Sequence, residues 1–158
     1  MKRSITLAIL LFLSGCVTSP IPEAYKGPVS IVKDTMETVT DKKVYFFQLS
    51  SVNGRPIETS ELKTLNANEG RGFSMSTQVA FRKVPSQELT VEIEGTTHYA
   101  APILAILGEN LSVSGEVKFT PQRDKVYFVK GKLSKKHSSV WIQEKNGGIV
   151  SKVIEKKE

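Results

Sequence analysis

The chain has 158 residues but only one cysteine and two histidines, and this scarcity limits the chemistry available to it. One cysteine cannot form a disulfide within the chain, so a folded domain must take its stability from an apolar core. The histidines, His98 and His137, each stand without a second potential metal ligand beside them. Because metal sites favour clustered ligands at helical or hairpin spacing, we predict no metal and no cofactor.

The chain also lacks the short motifs that mark common active sites. It has no G-x-S-x-G nucleophile elbow, and Gly70-Arg71-Gly72 is not followed by the helix that a phosphate loop needs. Glu92 and Glu94 share one face of a predicted strand, where carboxylates are more typical of a solvated surface than of glycoside chemistry. Sequence spacing does not exclude a Ser-His-Asp triad, because triads assemble in space, and convergence of His98, His137 and an aspartate would favour an enzyme. We therefore expect a protein that is not an enzyme.

Positive charge exceeds negative charge only mildly, with 22 lysines and arginines against 16 aspartates and glutamates. The basic residues are scattered along the chain, and no stretch interleaves them with aromatic residues as nucleic-acid-binding segments do. Lys135, Lys136 and the tail at residues 152–158 are most simply solvated surfaces. The composition therefore predicts no nucleic-acid partner.

The one long apolar run lies at the start of the chain. Lys2 and Arg3 form a positive segment, residues 4–13 form a short apolar segment, and the small residues Ser14 and Gly15 follow. This order is typical of a signal peptide. The run is too short to span a bilayer, which needs about 20 apolar residues. We predict a helical signal peptide at residues 1–15 that is cleaved on export.

The single cysteine stands directly behind that segment, and Leu13-Ser14-Gly15-Cys16 resembles the bacterial lipobox. The resemblance implies that the Cys16 thiol is joined to a diacylglyceryl group, that cleavage occurs between Gly15 and Cys16, and that the new amino terminus is acylated. Val17 stands where an aspartate would resemble the signal for retention in the inner membrane. We therefore expect a lipoprotein anchored in the outer membrane and facing the periplasm. The alternative is an ordinary signal peptide followed by an incidental thiol.

Residues 16–27 predict a flexible tether behind the anchor. The stretch "VTSPIPEAYK" contains two prolines and no hydrophobic periodicity. Extended proline-rich chain spans about 3.1 Å per residue, so ten residues reach about 30 Å. The folded domain, predicted at residues 28–158, should therefore stay close to the membrane.

Short runs of β-type residues separated by turns fill that domain, and helical periodicity is confined to one short segment. The predicted strands are residues 28–34, 43–52, 55–57, 73–84, 88–95, 111–120, 126–133 and 139–145. Residues 28–34 read as an opening edge strand, and residues 59–65 as a helical turn capped by Thr59 or Ser60 with Leu62 and Leu65 inward. Gly115 suggests a bulge. Seven or eight strands with one helical turn predict an all-β fold, an antiparallel β-sandwich.

A tyrosine refines that fold class. Tyr127 follows Asp124 by three residues at the start of a predicted late strand, which resembles the tyrosine corner of immunoglobulin-like sandwiches. The runs "VYFVKGKL" and "SVWIQEK" also resemble those of small uncharacterised bacterial lipoproteins. These resemblances imply an immunoglobulin-like sandwich and no particular chemistry, while a plain core position for Tyr127 is the alternative.

The segment at residues 98–111 departs from strand alternation. Ile103, Leu104, Ile106 and Leu107, called here the 103–107 patch, form the longest apolar cluster after the signal peptide. If exposed, such a patch would mark a partner site, and otherwise it would be a connection tucked into the core. We expect a non-enzymatic module for protein interaction or envelope maintenance that contacts an envelope protein partner. The alternative is a carrier or binding module for a small apolar or glycan ligand, which needs a cavity or groove.

Overall fold

A computed structural model describes residues 18–157. The predicted signal peptide and the lipobox residues Leu13, Ser14, Gly15 and Cys16 lie outside the described residues, as does Val17. Within residues 18–157 the chain forms ten strands and two helices. Their bounds are β1 (Val29–Lys33), β2 (Thr35–Thr40), β3 (Lys43–Val52), β4 (Arg55–Pro56), α1 (Ser60–Ala67), β5 (Phe81–Pro85), β6 (Leu89–Tyr99), α2 (Pro102–Leu107), β7 (Ser112–Phe119), β8 (Val126–Lys132), β9 (His137–Glu144) and β10 (Ile154–Lys157).

The strands form two sheets, which confirms the prediction of an all-β sandwich. Sheet 1 has the strand order β10-β9-β8-β1-β5, and sheet 2 has the order β2-β3-β6-β7 with β4 paired to β3. Among the described strands every pairing is antiparallel except that of β1 with β8, which is parallel. The predicted opening edge strand is therefore wrong in its position, because β1 lies inside sheet 1 between β8 and β5.

The core lies between the sheets, and strand alternation fills it. On β6, Leu89, Val91 and Ile93 are buried in the core, as their alternation with polar residues predicts. Sheet 1 contributes Tyr127, which is fully buried and packs edge-to-face on Phe119 with ring centroids 4.9 Å apart. The backbone N–H of Gln122 donates a 2.8 Å hydrogen bond to the Tyr127 hydroxyl. Tyr127 is thus both a core residue and a hydrogen-bonded link to the preceding loop.

The chain crosses from sheet 1 to sheet 2 at Asp34, between β1 and β2. The buried Asp34 carboxylate accepts hydrogen bonds from the Leu49 backbone, from the Ser60 backbone and hydroxyl, and from both terminal nitrogens of Arg82. Ser60 begins α1, and its hydroxyl also accepts from the Ala80 backbone N–H. One carboxylate therefore fixes the crossover, the start of α1 and the edge strand β5.

Helix α1 forms where the sequence predicts a helical turn, with the Thr59 hydroxyl accepting from the Leu62 backbone N–H. Its inward face differs from the prediction, because Ser60 and Thr64 are its buried residues and Leu65 is exposed. Polar residues suit this inward face because they bind the backbone of the segment that follows. The Thr64 hydroxyl, for example, accepts from the Gln78 backbone N–H at 2.8 Å.

The predicted strand at residues 73–84 is wrong for most of its length, since β5 begins only at Phe81. Asn68 explains the difference, because its side-chain amide bonds both the carbonyl and the N–H of Ser76. Side chains of α1 and its C-cap thus satisfy the backbone groups that a neighbouring strand would otherwise bind. Gly70 and Gly72 adopt positive φ angles, which turn the loop.

Four further features differ from the sequence expectation. Strand β2, helix α2 and strand β10 were not predicted. Gly115 pairs in register with Ile93, and the bulges lie instead in β2 and β3. A side chain at Gly115 would meet Ile154 of β10 at about 3.0 Å, so glycine there permits the two sheets to approach at this edge.

The described part of the predicted tether, residues 18–27, contains no helix or strand. Hydrogen bonds nevertheless hold its beginning against the domain. The backbone N–H and the hydroxyl of Thr18 both donate to the Pro56 carbonyl, at 3.1 and 3.0 Å. Arg55 donates to the Pro20 carbonyl at 3.0 Å. The chain therefore meets the domain at Thr18, which shortens its free reach compared with an extended tether.

Candidate functional site

An open groove of about 830 Å³ lies on the sheet 2 side, bounded by α1, the loop after it, the end of β6 and α2. Its apolar lining is supplied by Leu65, Phe73, Met75, Pro102 and Ala105. Its polar lining includes Glu61, Asn66, Asn68, Glu69 and His98. Binding sites for small molecules commonly have volumes of about 300–1,000 Å³ and this mixture of apolar walls and few polar groups.

The 103–107 patch lies on a short helix, α2, whose Pro102 and Ala105 line this groove, while the four patch residues themselves are outside the lining. Proline at its first position suits a helix start, because that position needs no backbone N–H donor. None of the residues of α2 is buried. Ile103 is 49% exposed, Ile106 77% and Leu107 79%, while Leu104 is half-buried. Of the two alternatives that the sequence left open, the structure places this apolar segment at the surface.

Tyr99 holds the connection that contains α2 against the end of β6. The hydroxyl of Tyr99, at the end of β6, donates to the Glu109 carbonyl at 2.8 Å. Gly108 ends the helix, and a side chain there would collide with the Tyr99 hydroxyl. Tyr99 thus ties both ends of the connection together, and the four-residue apolar cluster is left facing outward.

Glu61 and His98 meet at the polar end of the groove. Glu61 lies in the first turn of α1, and His98 lies on the outer face of β6. His98 Nδ1 is 3.2 Å from Glu61 Oε1, and the Thr96 hydroxyl donates to Glu61 Oε2 at 2.8 Å. Phe46 packs edge-to-face against the imidazole with centroids 5.9 Å apart. The pair is therefore held from three sides.

Gln48 joins this pair to a second carboxylate. Its amide nitrogen donates to Glu94 Oε1 at 3.0 Å and to Glu61 Oε2 at 3.3 Å, and its amide oxygen accepts from the Glu61 backbone N–H. Burial raises the pKa of Glu61, but hydrogen bonds from His98 and Thr96 outweigh burial and leave that pKa below its usual value. Burial raises the pKa of Glu94, and the neighbouring Glu61 charge adds to the effect.

The described contacts orient the His98 imidazole through its Nδ1 atom. In residues 18–157 no side chain or backbone group hydrogen-bonds His98 Nε2, so no hydroxyl nucleophile is positioned there. His137 does not join His98, because its Nε2 lies 3.2 Å from Glu155 Oε1 on sheet 1. Within residues 18–157 the two histidines are therefore not brought together.

No group of three or more potential metal-ligating side chains occurs within the part of the chain that the structure describes. Glu61 and His98 are separated by 37 residues, and neither lies in a recognisable motif. Sequence reasoning therefore missed the pair. The predicted helical turn places Glu61 at a helix start, but it does not show that His98 lies against it.

Neither described helix has the length and apolar character needed to cross a bilayer. Cys16, the predicted site of lipidation, lies outside the described residues. Comparisons of the chain with protein-family models, with curated proteins and with solved structures found no match.

Proposed function

We propose that this protein is a lipid-anchored, non-enzymatic module of the bacterial cell envelope that binds another envelope protein through α2 and the adjacent groove. The exposure of the 103–107 patch carries the proposal. Ile106 and Leu107 each expose more than three quarters of their surface, on the helix whose Pro102 and Ala105 line the groove. Contiguous exposed apolar surface of this kind is typical of binding sites.

The lipid anchor at Cys16 and the outer-membrane location form part of the same proposal. The Leu13-Ser14-Gly15-Cys16 sequence supports the anchor, and Val17 supports release from the inner membrane. A Val17→Asp variant should shift the protein from outer-membrane to inner-membrane fractions of a density gradient, because aspartate would complete the retention signal. A Val17→Ser variant is the control and should fractionate like the parent.

An immunoglobulin-like relationship of the sandwich also belongs to the proposal. One observation supports it, the hydrogen bond between Tyr127 and the Gln122 backbone. The tyrosine corner of such domains uses the same contact between a phenol and the preceding backbone. The ten strands and the position of β1 give this sandwich its own topology.

Site-specific photo-cross-linking in the native envelope tests the interaction directly. A photoreactive residue replacing Ile106 should give one discrete cross-linked product. The same residue replacing Val39, an exposed apolar position on β2, is the matched control and should give none. Equal products from both positions, or none from position 106, would contradict the proposed binding surface.

A small ligand is the second candidate, and the Glu61–His98 pair favours it. An oriented imidazole beside apolar walls suits an amphipathic or glycan ligand with a hydrogen-bonding group. Native mass spectrometry of the protein purified from envelopes distinguishes the candidates. A bound small molecule that is lost in His98→Ala and retained in Val39→Ala would favour a carrier, and a protein cross-link at position 106 would favour the interaction module.

A further inference from the structure

The outer face of sheet 1 collects lysine and aromatic side chains that are scattered in the sequence. In sheet 1, Val32, Val84, Tyr127 and Val129 point into the core, so their neighbours point outward. Strand pairing places Lys33 opposite both Phe81 and Phe128, on the strands to either side. The lysine–aromatic face is defined here by Lys33, Phe81, Lys83, Phe128, Lys130 and Trp141.

Strand register places aromatic and lysine side chains next to one another on this face. Phe81, Lys33 and Phe128 form one row across three strands, a distance of about 10 Å at normal strand spacing. Lys130 and Trp141 pair beyond that row. No sequence run shows this pattern because four different strands supply it.

The lysines of this face are available for an external partner. In residues 18–157 no carboxylate lies within 4.0 Å of the ammonium groups of Lys33, Lys83 or Lys130. Phe81 is 69% exposed. Both helices of the described chain make their main contacts with sheet 2.

The start of the described chain lies beside the same face. Thr18 and Phe81 line one depression of about 290 Å³, and Thr18 is held by two hydrogen bonds to Pro56. Only Val17 separates Thr18 from Cys16, so the two Cα atoms can be at most about 7 Å apart. A lipid on Cys16 would therefore enter the membrane next to Phe81.

We propose that the lysine–aromatic face lies flat against the anionic phospholipid headgroups of the leaflet that holds the anchor. This inference rests on the proposed lipidation of Cys16. Lysine ammonium groups pair with lipid phosphates, while their alkyl stems and the aromatic rings occupy the boundary between headgroups and acyl chains. Each lysine near an anionic surface strengthens the attraction by a factor of about five. The groove and α2 then face away from this surface, where a partner can reach them.

Trp141 is the only tryptophan of the chain and lies on this face, so its fluorescence reports the contact. The lipidated protein would be reconstituted into phosphatidylglycerol–phosphatidylethanolamine vesicles that carry brominated acyl chains. We expect strong quenching of Trp141, weaker quenching in phosphatidylcholine vesicles, and a loss of quenching at high salt, which screens surface charge. Vesicle flotation, measured in parallel, tests the lipid anchor alone.

Two pairs of variants separate the face from general effects. Lys33→Glu with Lys83→Glu should reduce quenching several-fold, whereas Lys42→Glu with Lys118→Glu makes the same charge change elsewhere and should leave it intact. Phe81→Ser should weaken quenching, and Phe73→Ser, at an exposed aromatic of the groove, should not.

The outcomes distinguish this inference from the proposal on which it rests. Protein that floats with vesicles but shows no quenching of Trp141 would overturn the orientation and leave the anchor intact. Protein that does not float would overturn the anchor and this inference with it. Quenching that is equal in both lysine pairs, or Trp141 shielding that requires envelope proteins, would also overturn the membrane contact.

Discussion

Replacing Asp34 by asparagine should loosen the junction that holds α1 and β5 to the sandwich. Asp34 is 2% exposed and receives five hydrogen bonds, including two of 2.7 Å from Arg82. Asparagine keeps one acceptor oxygen but presents an amide donor where the second carboxylate oxygen received hydrogen bonds. The Arg82 guanidinium, whose side chain is 8% exposed, would lose its charge partner.

The expected cost follows from that burial. Removing one partner of a buried ion pair costs about 3–5 kcal/mol, because the other charge remains buried and uncompensated. A domain of ordinary stability unfolds with about 5–15 kcal/mol, so the loss would be a large part of the total. Asp41→Asn is the matched control, because Asp41 is exposed in the turn after β2 and should cost less than about 0.5 kcal/mol.

Urea unfolding of residues 18–158, followed by Trp141 fluorescence, measures this loss. With a denaturant slope of about 2 kcal/mol per molar, the midpoint should fall by roughly 2 M in Asp34→Asn. Adding Arg82→Met should recover part of the loss, since it removes the unpaired charge. An Asp34→Asn midpoint equal to that of Asp41→Asn would refute the assignment of this carboxylate as the junction.

Three further predictions concern Tyr127 in the core, the partly buried carboxylate of Glu94 and the lipid anchor. Tyr127→Phe leaves the Gln122 N–H without its acceptor and should cost about 1–2 kcal/mol by urea unfolding, with an unchanged midpoint arguing against that hydrogen bond. Burial raises the pKa of Glu94, so its contribution to stability falls as pH rises above the unfolded value of 4.5. Glu94→Gln should therefore raise the urea midpoint at neutral pH more than at about pH 4, whereas exposed Glu92→Gln should show no such difference. Cys16→Ser should abolish palmitate labelling and leave the precursor uncleaved, and equal labelling of variant and parent would contradict the lipobox.

Sequence patterning was sufficient for the strands with one buried face. Alternation of apolar and polar residues predicted β6 because its odd-numbered residues fill the core. The local sequence could not predict that β1 lies inside sheet 1, because the strands that pair with it on both sides, β8 and β5, are distant in sequence. Residues 73–80 alternate like a strand, yet side chains of Thr64 and Asn68 bind their backbone instead. Local pattern does not distinguish these two kinds of hydrogen-bond partner.

The candidate surfaces also differ in whether the sequence predicts them. The sequence alone indicates the 103–107 patch, because four clustered apolar residues do not fit the alternation of a half-buried strand. The Glu61–His98 pair and the lysine–aromatic face arise only from tertiary contacts. The elements that supply them are distant in sequence, and their residues occupy ordinary polar or strand sequences that do not indicate these contacts.

Mass spectrometry of the amino-terminal peptide from the membrane-extracted protein tests the central proposal most directly. We expect a peptide that begins at Cys16 and carries a diacylglyceryl thioether and an acylated amine. A peptide with a free Cys16 thiol would contradict the anchor, and the membrane orientation inferred from it would then have no basis.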